Sequence, residues 1–196
     1  MHSESTTDIS ILLRSNLNRT RSYGENVVLI IIGAMNPIHR NHISTMIKTK
    51  YYLEHVHNFN VIAPRFKSPG QITLSLYKYI NKKLNLPNPI RVIYVIGLDS
   101  FNRYKGMRSL RTPQGGIAVT YRHGEDQRLI TSKTNRNNPN IFYVSANEEH
   151  IKISSIESED ISSTLIREKL KKNEACEHLT YPSVLEHLKT IPPENQ

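Results

Sequence analysis

Six consecutive apolar residues, Val27-Val28-Leu29-Ile30-Ile31-Ile32, run directly into Gly33-Ala34-Met35-Asn36-Pro37-Ile38-His39-Arg40-Asn41-His42. An unbroken β-branched and aliphatic run of this length reads as a strand buried on both faces. That is the habit of parallel strands in α/β proteins rather than of half-exposed hairpin strands. A glycine then ends the strand, a proline fixes the turn, and two histidines three residues apart open the next segment. Ile43, Met46 and Ile47 recur at helical spacing, so a helix is expected from about Asn41 to His55. A buried strand, a tight loop and a helix in that order are the first half of a βαβ unit.

The same alternation continues along the chain. Phe59-Asn60-Val61-Ile62-Ala63 reads as a second strand stopped by Pro64, and Ile72 to Leu84 as a helix with Leu76 and Ile80 four apart. Arg91 to Ile96 reads as a third strand stopped by Gly97. Ile117 to Tyr121 reads as a fourth, preceded by a Gly115-Gly116 turn, and Ile141 to Val144 as a fifth. Helices are expected at about Ser163 to Lys172 and Ser183 to Lys189. The expected architecture is α/β: a Rossmann-like, doubly wound parallel sheet of about five strands with flanking helices. The 196 residues fit one domain over residues 26–190, with flexible segments at 1–25 and 191–196.

Composition narrows the class. No apolar run approaches the ~18 residues that span a bilayer, so no membrane role is expected. Cys176 is the only cysteine, which excludes an internal disulfide or a cysteine-based zinc site and favours a reducing, intracellular compartment. A cytoplasmic or nuclear address is the expectation. Arg14, Arg19 and Arg21 among Ile9, Ile11, Leu12 and Leu13 faintly resemble a mitochondrial presequence, against which Glu4 and Asp8 count. The formal charge of +9 favours anionic partners, although solubility alone accounts for such a charge equally well.

Ligands of doubly wound sheets bind beyond the carboxyl ends of the strands, and Gly33, Gly97 and Arg122 all fall there. His39 and His42 lie one helical turn apart, where imidazole N–H groups and helix amides can meet phosphate oxygens. Two histidines could instead share a metal ion, but no third ligand is nominated, so phosphate is preferred and no metal site is expected. Ser162-Ser163-Thr164 sits where a helix should start, and Arg167 offers a planar fork for phosphate oxygens one turn along. Asp99, past the third strand, reads equally as a ribose acceptor or a helix cap. Lys67 is a weaker candidate for the same edge.

Together these segments resemble the nucleotidyltransferase superfamily with the H-x-G-H signature, and within it the nicotinamide/nicotinate mononucleotide adenylyltransferase family. Gly33, Pro37, His39 and His42 match its G-x-F-x-P-x-H-x-G-H. Ile161 to Arg167 match its I-S-S-T-x-I-R at every position. Gly97 and Asp99 match its G-x-D, and Arg122 with Gly124 its arginine-x-glycine turn. The resemblance spans about Val27 to Leu170. It implies transfer of AMP from ATP to a pyridine mononucleotide, with magnesium travelling on ATP and no covalent enzyme intermediate. It implies His39, His42 and Arg167 as catalytic residues. It also implies an ATP site of Gly33, Ala34, Met35, His39, His42, Gly97, Asp99, Ser162, Ser163, Thr164 and Arg167, with Ser163, Thr164 and Arg167 on the β- and γ-phosphates. Asn36, Lys67, Tyr104 and Arg122 are the weaker expectations for the acceptor.

Three features depart from the family pattern. Asn41 stands where it has glycine, with a side chain that could crowd the triphosphate; Met35 replaces an aromatic; and the chain has no tryptophan, the residue on which family members commonly stack the pyridine ring. Tyr104 is the candidate substitute. Two other readings stay open on this basis: a related transferase with another phosphate acceptor, such as phosphopantetheine, and a non-catalytic nucleotide- or nucleic-acid-binding module on the same scaffold. The two phosphate motifs in order argue against nucleic acid as the partner. Homo-oligomerisation is left open.

Overall fold

The computed structural model describes residues 20, 24–32, 37–67, 89–103, 111–121, 138–145 and 161–190, with the side chains of Ile32, residues 63–67 and Lys189 outside that description. Along the chain run β1 (Asn26–Ile32), α1 (Arg40–Val56), β2 (Asn60–Lys67), β3 (Ile90–Gly97) and α2 (Leu98–Arg103). They are succeeded by β4 (Gly115–Tyr121), β5 (Ile141–Ser145), α3 (Ser163–Lys171) and α4 (Pro182–Thr190). The five strands form one sheet in the order β2-β1-β3-β4-β5, and every neighbouring pair is parallel. The expected doubly wound architecture is therefore present, and the order reverses between β1 and β3.

The central strands are buried throughout. Val27, Leu29, Ile93 and Val95 are each fully buried, and Val28, Ile30, Val92 and Ile96 nearly so. These side chains face both sides of the sheet, which is why the sequence reads as a continuous apolar run and not an alternating one. Met46 and Leu53 of α1 close one face over Val27, Leu29, Val61 and Val95. Ile161 ahead of α3, Ile166 on it, Cys176 and Leu179 after it and Leu185 on α4 make a separate cluster. Asn58 and Asn173, with φ of 55° and 53°, lie just past the ends of α1 and α3, positions where asparagine tolerates the left-handed conformation.

Two expectations about strand ends are corrected. Pro64 does not stop the second strand: β2 continues to Lys67, pairing Leu29 with Pro64 and Ile32 with Lys67. Among the described residues only β1 neighbours β2, which makes it an edge strand there, where a residue without an N–H is tolerated. Gly115 and Gly116 are not a turn but the first residues of β4. The turn lies just before them, closed by the Gly115 N–H donating to Thr112 O and Oγ1, both at 3.0 Å. A Cβ at Gly116 would stand 3.2 Å from Phe142, 3.3 Å from the Asn140 carbonyl and 3.4 Å from Arg91, so glycine there admits close packing. The helix expected at Ile72 to Leu84 and both terminal segments lie outside the described residues, apart from Thr20, Gly24 and Glu25. Among the described residues no helix is long and apolar enough to cross a membrane.

Candidate functional site

β1 delivers the chain to the carboxyl edge of the sheet beside the switch point, and α1 starts there at Arg40 with His39 as its cap residue. His39 is 6% exposed, and its ring stacks on that of His42 with centroids 3.7 Å apart. The His39 backbone N–H donates to His42 Nδ1 at 3.2 Å, and the His42 N–H donates back to the His39 carbonyl at 3.0 Å. Burial lowers the His42 pKa to about 4, so its imidazole is neutral near pH 7. With Nδ1 accepting, the ring proton resides on Nε2. His42 is thus a neutral donor near pH 7 and not a cation.

The second motif folds onto the first across more than a hundred residues of sequence. The Ser163 hydroxyl, buried at the start of α3, donates to the Pro37 carbonyl at 2.9 Å, and Asn41 Nδ2 donates to the Ile161 carbonyl at 3.3 Å. The carboxamide of Asn41 therefore reaches toward the start of the second motif. Ser162 is the N-cap of α3, its Oγ accepting from the Leu165 N–H at 3.1 Å. The two serines thus hold structure, one as a cap and one as a stitch between motifs. Thr164 on the first turn of α3 and Arg167 on the next make a polar pair, with Arg167 Nη2 donating to Thr164 Oγ1 at 3.2 Å.

Sequence reasoning missed a third segment. Thr180, fully buried, donates from Oγ1 to the Ile38 carbonyl at 2.6 Å, and the Leu179 carbonyl accepts from the Arg40 N–H at 3.2 Å. Arg40 also lies over the Tyr181 ring, 5.8 Å from its centroid. The loop carrying His39 is consequently held from its own helix, from α3 and from the segment before α4. Such a rigid backing is what a site needs if its donors are to keep one geometry.

Gly97 ends β3 at the same edge, and among the described residues no atom lies within 4 Å of where its Cβ would stand. Asp99 is exposed in the first turn of α2, which begins directly after β3. Lys67 ends β2 on this edge. Gly33, Ala34, Met35, Asn36, Tyr104 and Arg122 lie outside the described residues. Among the described residues no group of three His, Cys, Asp or Glu could hold a metal ion.

A cavity of about 490 Å³ occupies the opposite, amino edge of the sheet, lined by Glu25, His57, Phe59, Arg91 and Phe142 among others. It is a structural latch and not the candidate site. Arg91 pairs with Glu25 at 2.7 Å, donates to Asn140 Oδ1, and lies over the rings of Phe59 and Phe142. Burial, reinforced by Arg91, lowers the His57 pKa there.

The sheet order, all parallel with a switch point between β1 and β3, defines a Rossmann-like, doubly wound fold. A solved structure with this fold is Plasmodium falciparum nicotinic acid mononucleotide adenylyltransferase complexed with APC. It is similar over 88% of this chain and 99% of that one, with a TM-score of 0.51 and 11% sequence identity. At that identity the likeness concerns the fold. No protein-family model matches the chain, and no curated protein sequence matches it.

Proposed function

We propose that the chain is an adenylyltransferase that moves AMP from ATP to nicotinamide or nicotinate mononucleotide, releasing pyrophosphate and a dinucleotide, NAD or its deamido form. The observation that carries this reading is the junction of the two phosphate-type motifs at the carboxyl edge of the sheet, made by Ser163 on Pro37 and Asn41 on Ile161. A site assembled from a strand-end loop and a helix start 120 or more residues away in sequence suits a polyphosphate, which is long enough to touch both.

In this reading an oxygen of the acceptor phosphate attacks the α-phosphorus of ATP. The bond from that phosphorus to the bridging oxygen breaks, and the electron pair leaves with pyrophosphate. The acceptor is already anionic, so no general base is required; the protein aligns the groups in line and spreads the charge. His42 supplies the Nε2–H fixed by its tautomer, and His39 stacks beside it as the second catalytic imidazole. Arg167 and Thr164 take the β- and γ-phosphates, and Asp99 the ribose. Magnesium arrives on the phosphates of ATP.

The absence of tryptophan supports one second reading, the same transfer to a different phosphate acceptor. The test incubates the protein with magnesium-ATP and each of nicotinamide mononucleotide, nicotinate mononucleotide and phosphopantetheine, then separates the products. A dinucleotide supports the first reading. An adenylylated phosphopantetheine moves the assignment to the second, and no adenylylated product from any of the three overturns the pyridine-nucleotide assignment.

A further inference from the structure

We propose that Asn41 is a positioning residue that sets the spacing between the two phosphate motifs, an inference that rests on the adenylyltransferase reading and extends it to a position where the resembled family has glycine. A glycine has no side chain with which to reach the second motif. Here the carboxamide leaves the first turn of α1, beside His39 and His42, and donates to the Ile161 carbonyl at 3.3 Å, immediately before the cap of α3. The Ser163 hydroxyl makes the reciprocal tie, from the start of α3 back to Pro37 ahead of α1, at 2.9 Å. Two ties running in opposite directions between the same two loops fix both their separation and their relative rotation, where a single tie would leave a pivot. The groups whose separation they fix are His42 on one side and Thr164 with Arg167 on the other. A triphosphate must span that distance, whereas a nucleoside monophosphate does not.

The role therefore has a signature distinct from helix stability. Asn41 sits inside a helix, where alanine has a higher propensity than asparagine and glycine a lower one. Both variants also lose the hydrogen bond to Ile161, so Asn41→Gly should melt below Asn41→Ala by the difference in propensity. If the carboxamide positions the second motif, both variants lose affinity for magnesium-ATP by a similar factor, about threefold to tenfold for one hydrogen bond, while their affinity for AMP stays close to that of the unaltered protein.

The experiment is calorimetric titration of the full chain and both variants with magnesium-ATP and with AMP, alongside thermal melts. Equal losses for ATP in both variants, with AMP binding retained, support the proposal. ATP affinity that is unchanged, or that tracks the melting temperature, overturns it while leaving the adenylyltransferase reading in place. An unaltered protein that binds AMP but shows no preference for ATP overturns that reading, and this inference with it.

Discussion

Replacing Ser163 with alanine should destabilise the fold before it touches any ligand. The Ser163 hydroxyl is buried and donates to the Pro37 carbonyl at 2.9 Å. Removing one partner of a buried hydrogen bond costs about 1–3 kcal/mol, because the other partner loses its compensation for lost water. Alanine returns at most about 0.5 kcal/mol through better helix propensity at the first position of α3. The net expectation is a loss of about 0.5–2.5 kcal/mol. In a chain of this size that lowers the melting temperature by roughly 1–10 °C. Urea unfolding of the unaltered protein, Ser163→Ala and Thr164→Ala would measure it, with the midpoint shifting at constant slope. Thr164 is exposed, and its alanine variant should stay within about 0.5 kcal/mol of the unaltered protein. The effect on nucleotide binding should be reversed in order, larger for Thr164→Ala than for Ser163→Ala. Indistinguishable stabilities for Ser163→Ala and the unaltered protein would refute the stitch between the two motifs.

His39→Ala should lower turnover by at least ~100-fold with the fold retained, as expected for lost stabilisation of charge in the transition state; initial rates beside circular dichroism check this, and near-normal turnover removes His39 from the site. Arg167→Ala should raise the ATP concentration needed for saturation, and an unchanged saturation curve would make the start of α3 a cap and nothing more. His42 should stay neutral in the ligand-free protein down to about pH 4, against an ordinary value of 6.5. The unfolded chain therefore binds more protons than the folded one between those values, so stability contributed by the neutral ring is lost as pH falls from 6.5 toward 4. Histidine NMR titration measures this directly, and a polyphosphate should raise the value by supplying a negative neighbour.

The buried strands were legible because their environment leaves one solution. β1 and β3 are covered on both faces, and only long apolar runs satisfy that. Their ends were less legible where one residue type serves two purposes. Pro64 looks like a stop, yet an edge strand accepts it, and edge position is a property of the sheet order, not of local sequence. Gly115 and Gly116 look like a turn, yet Gly116 is small because Phe142, Asn140 and Arg91 crowd it from distant parts of the chain. At the candidate site the two motifs were visible, because histidines, serines and an arginine at helix starts are uncommon in this arrangement. Their contact was not visible, since nothing local in Ile161 to Thr164 points to Pro37. Thr180 carried no signal at all: a lone threonine ahead of a helix reads as an ordinary loop residue, and its tie to Ile38 exists only in three dimensions. Asn41 was legible as a departure from the family pattern, but its direction, toward Ile161 and the second motif, was not.

The most direct test of the account traces the phosphorus. ATP carrying label at the α-phosphate or at the γ-phosphate would be incubated with the protein, magnesium and a pyridine mononucleotide, and the products separated. Adenylyl transfer predicts α-label in the dinucleotide and γ-label in pyrophosphate, in equal amounts. Release of γ-label as inorganic phosphate, or no transfer of α-label to the acceptor, would contradict it.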